Sequence, residues 1–348
     1  MFQVIKSLID EKNAHDVKYL TTYGIKDAHG IIKEINLQID DDLMIVPPNS
    51  LSTPSERVHP LRWASIREFL VVETHVPRAT KETIAATTSE LNTCPYCEDA
   101  HKTALSALGE KATKNEKTKA IIEWSQNTRN PHAKIIQNPP FTAIEAPEII
   151  GTALLFHSTN RLVSIFLAES MLPGIIGNKS FKKIALYFAA KTIMKHFVGK
   201  KVEAGHSLQF IGQHEIPKHL QWAESVPAYA QIFTAQESVL AEIEKSIIPP
   251  TSAKILKEAI SAWQGENMPL GRSWLADLTK DISEKEKPIA TIILLAAFAP
   301  YTVTENDIRA FQKTNPSDKG LLETCFWSIE MLTNKIATWI TKPFNVSE

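Results

Sequence analysis

Residues 84–101 read IAATTSELNTCPYCEDAH, and this stretch decides the fold that we predict. Positions 84, 87, 88 and 91 fall three and four residues apart, which is the spacing of one face of a helix. Pro95 suits the first position of a second helix, because its ring fixes a helical backbone angle and it has no N–H to leave unpaired. We therefore expect two consecutive helices, with Cys94 at the start of the second.

The second predicted helix places three reactive side chains on one stripe. Cys94, Cys97 and His101 follow the spacing i, i+3, i+7. The start of a helix carries positive partial charge, which lowers the pKa of a thiol there. A nearby histidine can take the thiol proton, and a second cysteine can condense with a sulfenic acid to form a disulfide. The pattern predicts a redox-active cysteine pair.

Composition sets the broad class of protein. The chain has 348 residues, a formal net charge of −1 and 43% apolar residues, so no basic excess indicates a nucleic-acid partner. Three cysteines are too few for a disulfide framework and favour a reducing, cytoplasmic compartment. The first twenty residues do not resemble a signal peptide. The apolar run 289–299 is shorter than the about 20 residues of a membrane span and predicts a buried helix.

Helical spacing and scarce glycine, 12 in the whole chain, predict an all-α fold. Residues 148–172 are apolar nearly all round, which is typical of a buried helix, with Pro147 in its first turn and Pro173 at its end. Residues 24–46 show some alternation of apolar positions, which predicts a small hairpin. Pro47 and Pro48 then close a first segment.

An internal sequence similarity predicts two tandem helical repeats. Residues 289–302 read IATIILLAAFAPYT and match residues 84–97 at a shift of 205, while TNRLVSIF at 159–166 matches TNKIATWI at 333–340. The second copy is degenerate, because Ala299, Thr302 and Asn306 replace the two cysteines and the histidine. We expect an N-terminal extension at 1–50, a catalytic repeat at 51–175, a connecting helical segment at 176–265 and the degenerate repeat at 266–348.

The pattern Glu-x11-Cys-x2-Cys-x3-His, formed by Glu82, Cys94, Cys97 and His101, resembles the active site of the AhpD-like proteins of the carboxymuconolactone decarboxylase superfamily. The resemblance covers residues 60–175 well, and it covers residues 285–345 only through the internal sequence similarity. It implies an all-α fold that assembles into homo-oligomers, dimers or trimers. It also implies a proton relay from Glu82 through His101 to the thiols, with Cys97 attacking and Cys94 resolving.

The resemblance further implies reduction of hydroperoxides, or dithiol–disulfide exchange, without metal or other cofactor. Reducing equivalents would come from a dithiol partner such as a lipoyl domain or a thioredoxin-like protein. AhpD itself has a histidine where this chain has Tyr96, a difference that bears on the exact substrate and the proton relay more than on the thiol chemistry.

Polar residues on otherwise apolar helices are the candidates for substrate binding. They are Tyr96, His157, Asn160 and Arg161. Each has an alternative structural role, because buried polar groups also tie helices together. We expect Cys325 to be a small core residue. The lysines at 182, 183, 191, 195, 200 and 201 are expected on a solvated face.

Three alternatives stay open at this point. A zinc site would use Cys94, Cys97 and His101 with His157 as a fourth ligand, although structural zinc sites usually pair two such motifs. A redox switch or scaffold would cycle its disulfide without turning over peroxide. A lactone decarboxylase would not rely on the cysteine pair.

Overall fold

A computed structural model describes residues 16–109, 115–168 and 198–345. These residues form helices and no strand, so the all-α prediction is confirmed. The helices are α1 (Gly30–Asp42), α2 (Val58–Ile66), α3 (Arg78–Leu91), α4 (Pro95–Leu108), α5 (Glu116–Gln126), α6 (Ala146–Phe166), α7 (Pro227–Ile247), α8 (Pro250–Ala262), α9 (Ser273–Thr279), α10 (Lys287–Phe298), α11 (Glu305–Thr314) and α12 (Asp318–Ile340).

Short helical pieces join these elements. They are the one-turn helices Pro47–Ser50 and Lys134–Gln137, a π-helical turn Arg67–Val71 that extends α2, and the 3₁₀ turns Leu208–Phe210, Lys218–Ala223, Pro300–Thr302 and Lys342–Phe344. Of the six lysines predicted on a solvated face, those at 182, 183, 191 and 195 lie outside the described residues.

The predicted hairpin at 24–46 is wrong, because residues 30–42 form α1. Ile32, Ile35 and Ile39 are buried on one face of this helix, whereas Leu37 is exposed. The buried set follows helical spacing, and the alternation at positions 35, 37 and 39 came from Leu37, which the core does not use. A short apolar segment is compatible with the periodicity of a helix or of a strand until the elements that pack against it are known.

Helices α3 and α4 form an antiparallel pair around the cysteine motif. Thr93 between them adopts a left-handed backbone with φ of 55°, a conformation that non-glycine residues rarely take. The Cys94 N–H donates to the Ser89 carbonyl at 2.9 Å and closes the end of α3. Pro95 then begins α4 with Cys94 as its N-cap residue, as the sequence predicts.

Helix α6 is the central helix, and α3, α7, α10 and α12 pack against it. Pro147 lies in its first turn as predicted, but the helix ends at Phe166, and Pro173 lies outside the described residues. By length and composition α6 would be able to cross a membrane, yet 94% of its most apolar window is buried within the protein. It is therefore typical of a core helix.

The similar sequence blocks lie at comparable positions on the helices of the two halves of the chain. The first blocks begin on α3 and α10 and continue into the elements that follow them, and the second blocks form the last eight residues of α6 and of α12. Helix α5 and the following one-turn helix separate the blocks in the first half only. Core side chains from Leu20 to Ile340 form one contiguous cluster that includes Cys325. The duplication and the four segment boundaries stay predictions.

Candidate functional site

The two cysteines of the motif lie together as free thiols. Their sulfur atoms are 2.9 Å apart, and both side chains are buried. Tyr96, Val163 and Leu167 pack around them, and Val17 packs against this group. A pair at this distance can close to a disulfide with little backbone movement.

The surroundings separate the pKa values of the two thiols. A hydrogen bond from the Cys97 thiol lowers the pKa of Cys94 and outweighs its burial, with help from the Cys97 backbone N–H, Ser164 and Asn160. Burial raises the pKa of Cys97 well above its usual value, and the bond to Cys94 adds to this, although Asn160 and the Arg62 charge act against it. Cys94 is therefore the thiol that ionises first.

Glu82 and His101 form a second pair on the neighbouring turns of α3 and α4. His101 Nδ1 lies 2.6 Å from Glu82 Oε2, and the Arg78 Nε donates to Glu82 Oε1 at 2.6 Å. Burial alone would raise the pKa of Glu82, but the charges of Arg78 and His101 lower it to about 2. The ionised Glu82 accepts a hydrogen bond from Nδ1 of His101 and thereby orients the imidazole ring.

A buried ion pair holds the start of α3 in place. Lys81 Nζ lies 2.6 Å from Glu148 Oε2 on α6, and both side chains are fully buried. Lys81 also donates to the Val72 carbonyl, while Glu148 accepts the backbone N–H groups of residues 74–76. The loop before α3 is thereby tied to α6, which positions Arg78 and Glu82.

An apolar cavity of about 150 Å³ lies on the His101 side of the site. His101, Glu82 and Tyr96 line it, and the His101 ring packs edge-on against Phe156 with centroids 4.4 Å apart. Further walls come from α2, its π-helical turn and the loop after α1: Leu43, Met44, Val46, Ile66 and Leu70. The cavity suits the apolar part of a small substrate.

The complete proton relay stays a prediction. Glu82 and His101 are hydrogen-bonded, as expected, but within the described ranges no direct hydrogen bond joins His101 to either sulfur. A relay to the thiols would need a bridging water or the substrate itself.

The four predicted substrate-binding residues take different positions. Tyr96 lines the apolar cavity, and Asn160 contacts both cysteine side chains. Arg161 lies on another face of α6, toward a polar cavity of about 330 Å³. His157 is fully buried, and its two ring nitrogens are hydrogen-bonded to Asn92 and Thr128. It ties α3, α6 and the end of α5 together.

Two residues at the site were missed by the sequence analysis. Arg62 on α2 is buried, donates to Thr159 Oγ1 through both terminal nitrogens at 3.1 Å, and leaves its Nε without a partner among the described residues. Its charge favours ionisation of Cys97. Ser164 contacts Cys94 from one turn beyond Asn160.

The zinc alternative loses its proposed fourth ligand. Both nitrogens of His157 are engaged in hydrogen bonds, and burial with the charges of Arg161 and Arg129 lowers its pKa well below the usual value. Among the described residues, no group of three or more His, Cys, Asp or Glu side chains is arranged to hold a metal.

Fold and site together define an all-helical protein with a buried Cys-x2-Cys dithiol beside a glutamate–histidine pair. The chain is similar to the alkyl hydroperoxide reductase Rv2159c of Mycobacterium tuberculosis, with 27% identity over 338 residues, 93% of this chain and 95% of that protein. This similarity supports a relationship to AhpD-like proteins and an oxidoreductase-type enzyme. No family model matches the chain, and no solved structure matches it.

Proposed function

We propose that the protein is a cofactor-free thiol peroxidase, which reduces hydroperoxides through Cys94 and Cys97. The observation that carries the proposal is the 2.9 Å sulfur pair at the start of α4, close to the apolar cavity that Glu82 and His101 line. A second support is the name of the relative, an alkyl hydroperoxide reductase.

The proposed reaction balances as two half-reactions. A thiolate attacks the terminal oxygen of ROOH, the O–O bond breaks, and the alcohol ROH leaves with one proton, so that sulfur becomes sulfenic acid. The second thiol then attacks that sulfur, a disulfide forms and water leaves. An external dithiol returns two electrons and two protons by exchange. His101, oriented by Glu82, is the group that moves the proton to the leaving alkoxide.

The order of attack is a separate part of the proposal. The resemblance implies that Cys97 attacks, whereas the hydrogen bonds favour Cys94 as the thiolate. We give more weight to the hydrogen bonds, because the thiolate is the nucleophile and Cys94 has more donors around it. Cys94 is thus the proposed peroxidatic residue. Trapping of the sulfenic acid in Cys97→Ser and in Cys94→Ser, followed by peptide mass spectrometry, distinguishes the two orders.

The first experiment is a thiol count on the purified protein before and after one equivalent of cumene hydroperoxide. We expect two of the three thiols to be lost, with a Cys94–Cys97 disulfide in the peptide map and full recovery with dihydrolipoamide. Catalytic consumption of peroxide in the presence of excess dithiol should accompany the cycle. Cys94→Ser and Cys97→Ser should each abolish turnover.

Cys325→Ala is the matched control for the loss of one thiol. Cys325 is fully buried in the core, and burial raises its pKa, so this variant should keep full turnover. Stoichiometric disulfide formation without peroxide turnover would replace the peroxidase proposal by a redox switch. Thiols that do not react with peroxide would contradict both.

The remaining assignments are proposals of the same kind. We propose a lipoyl domain or a thioredoxin-like protein as the reductant, a homo-oligomeric assembly of two or three chains, and a cytoplasmic location. Light scattering of the purified protein tests the assembly, and disulfide reduction by each dithiol tests the reductant.

A further inference from the structure

The polar cavity on the far side of α6 holds two arginines that no carboxylate neutralises directly. It has a volume of about 330 Å³, within the range of small-molecule sites. Arg129 comes from the loop after α5 and Arg161 from α6. Within the described residues, neither guanidinium lies within 4 Å of an acidic side chain.

Backbone carbonyls hold both guanidinium groups in place. Arg129 donates from Nε and Nη2 to the Gly265 carbonyl at 3.1 and 2.8 Å, and from Nη2 to Asn267 Oδ1. Arg161 donates from Nε to the Ala297 carbonyl at 2.9 Å and from Nη1 to the His157 carbonyl at 2.6 Å. Carbonyls orient a cation without cancelling its charge, so both cations stay available to an anion.

The acidic groups near the cavity offset the positive charge of the two arginines only in part. Glu266 lies at its rim, where its charge acts on Arg129 from beyond ion-pair distance. Glu330 acts on Arg161 in the same way, but its carboxylate accepts hydrogen bonds from Ser158 and Gln236. Burial and the nearby Arg129 charge lower the pKa of Arg161 to about 9. The two cations thus line one cavity with little negative charge beside them, an arrangement that a bound anion would stabilise.

The cavity is also built to keep its shape. A Cβ atom on Gly265 would come within 1.5 Å of the Arg129 carbonyl oxygen, so the two loops touch backbone to backbone. The Arg129 guanidinium lies 5.9 Å from the centroid of the Trp263 ring, and Trp263 itself is buried. A partly buried cation is screened less by salt than an exposed one, which strengthens its attraction for an anion.

We propose that this cavity binds a small carboxylate-bearing molecule, with Arg129 and Arg161 as the groups that hold the carboxylate. The site is separate from the apolar cavity, which lies against a different face of α6. Asn160 and Ser164 line the polar cavity and also contact Cys94. The bound molecule therefore lies next to the residues that hold the reactive sulfur.

Calorimetric titration with succinate, and with succinamide as its uncharged counterpart, tests the proposal on the intact reduced protein. We expect succinate to bind and succinamide not to bind. Arg129→Gln should weaken succinate binding by at least about tenfold, the loss expected for a charge-assisted hydrogen bond. Arg309→Gln is the matched control, because Arg309 is exposed on α11 and pairs with Glu305, and it should leave binding unchanged.

A second variant moves affinity in the opposite direction. Glu266→Gln removes the carboxylate at the rim and should tighten succinate binding, which a variant that merely misfolds cannot do. Equal binding of succinate and succinamide, or equal losses in Arg129→Gln and Arg309→Gln, would overturn the proposal. The titration measures binding alone, so its outcome does not depend on peroxide turnover.

Discussion

At the scale of single residues, the two cysteines differ in their neighbours although they are three positions apart. Interactions with Cys97, Asn160 and Ser164 lower the pKa of Cys94, whereas burial is the largest influence on Cys97 and raises its pKa. The sequence places both on one stripe but does not rank them. Their order of ionisation follows mainly from the interaction between the two thiols and from the burial of Cys97, to which Ser164 on α6 adds a smaller contribution at Cys94.

Removal of the Cys97 thiol should raise the pKa of Cys94. In Cys97→Ala the S–H donor to the Cys94 thiolate is absent, so burial of Cys94 is opposed by fewer hydrogen bonds. The thiolate ultraviolet absorbance, titrated in a Cys325→Ala background, measures the shift. A Cys94 titration that is unchanged or moves to lower pH would contradict the assignment of the thiolate to Cys94.

Glu82→Gln should lower peroxidase turnover by roughly 100-fold, the size of a lost acid–base contribution, because His101 loses the carboxylate that fixes its tautomer. Glu90→Gln is the matched control on the same helix, since Glu90 is exposed. Steady-state rates with cumene hydroperoxide measure the effect. Turnover in Glu82→Gln equal to that in Glu90→Gln would remove Glu82 from the proposed relay.

The same carboxylate should contribute to stability in a defined pH window. The pKa of Glu82 is about 2 in the folded protein against an ordinary value of 4.5. Glu82 therefore contributes about 3 kcal/mol to the free energy of unfolding. This contribution is complete above pH 4.5 and is lost as the pH falls toward 2. Denaturant unfolding at pH 5 and pH 3 should show a smaller loss of stability in Glu82→Gln than in the unmodified protein.

At the scale of elements, α6 organises the site by presenting different faces to its surroundings. Leu155, Phe156 and Thr159 border the apolar cavity, while Arg161 and Ser164 border the polar cavity. The cysteine pair lies against Asn160 and Val163 between them. One buried helix thus separates two chemically different spaces next to the same dithiol.

Packing of α6 against α7 depends on the absence of a side chain at Gly151. A Cβ atom there would lie 2.6 Å from Cε1 of Tyr229. Tyr229 cannot easily move, because its hydroxyl donates to the Glu68 carbonyl and accepts from Lys81. Gly151→Ala should therefore destabilise the protein by about 1–3 kcal/mol, although alanine favours a helix more than glycine does.

Denaturant unfolding measures this change in the free energy of unfolding. Ser238→Ala on the exposed face of α7 is the control for helix propensity alone and should be close to neutral. A Gly151→Ala protein as stable as this control would show that α6 and α7 can separate slightly without loss.

At the scale of the whole molecule, buried neutral histidines should make stability depend on pH. Burial, followed by the Arg62 charge, lowers the pKa of His59 to about 3 against an ordinary 6.5, and His157 is lowered for similar reasons. At pH values between the folded and the unfolded pKa of each histidine, the unfolded chain binds a proton that the folded protein does not bind. The free energy of unfolding should therefore fall as the pH drops below about 6.5, by up to about 1.4 kcal/mol per unit for each histidine.

Chemical denaturation at pH 7 and pH 5.5 measures this slope. His59→Gln should reduce it, because one of the two buried groups no longer titrates, while His132→Gln, an exposed position, should not change it. A flat profile between these pH values would mean that His59 and His157 become accessible to protons without unfolding.

The sequence by itself determined the local part of the site. Pro95 after Cys94 fixes where α4 begins, and helical spacing alone aligns Cys97 with His101, because these relations span only a few residues. The spacing of Glu82 was informative through its resemblance to known sites. The all-α class also followed from local periodicity, whereas the hairpin at 24–46 and the end of the helix expected over 148–172 were misjudged.

Tertiary structure decided everything that depends on residues far apart in the chain. The charge of Arg62 on α2 acts on Cys97, and Arg129 and Arg161, which are 32 positions apart in the sequence, line one cavity. Spacing along the chain does not specify which sulfur ionises or which face of α6 borders which cavity. It also does not specify which arginine lacks a carboxylate partner. These properties depend on distances in the folded protein. The physical reason is that burial and charge act through space, whereas sequence patterns report only neighbours on one helix.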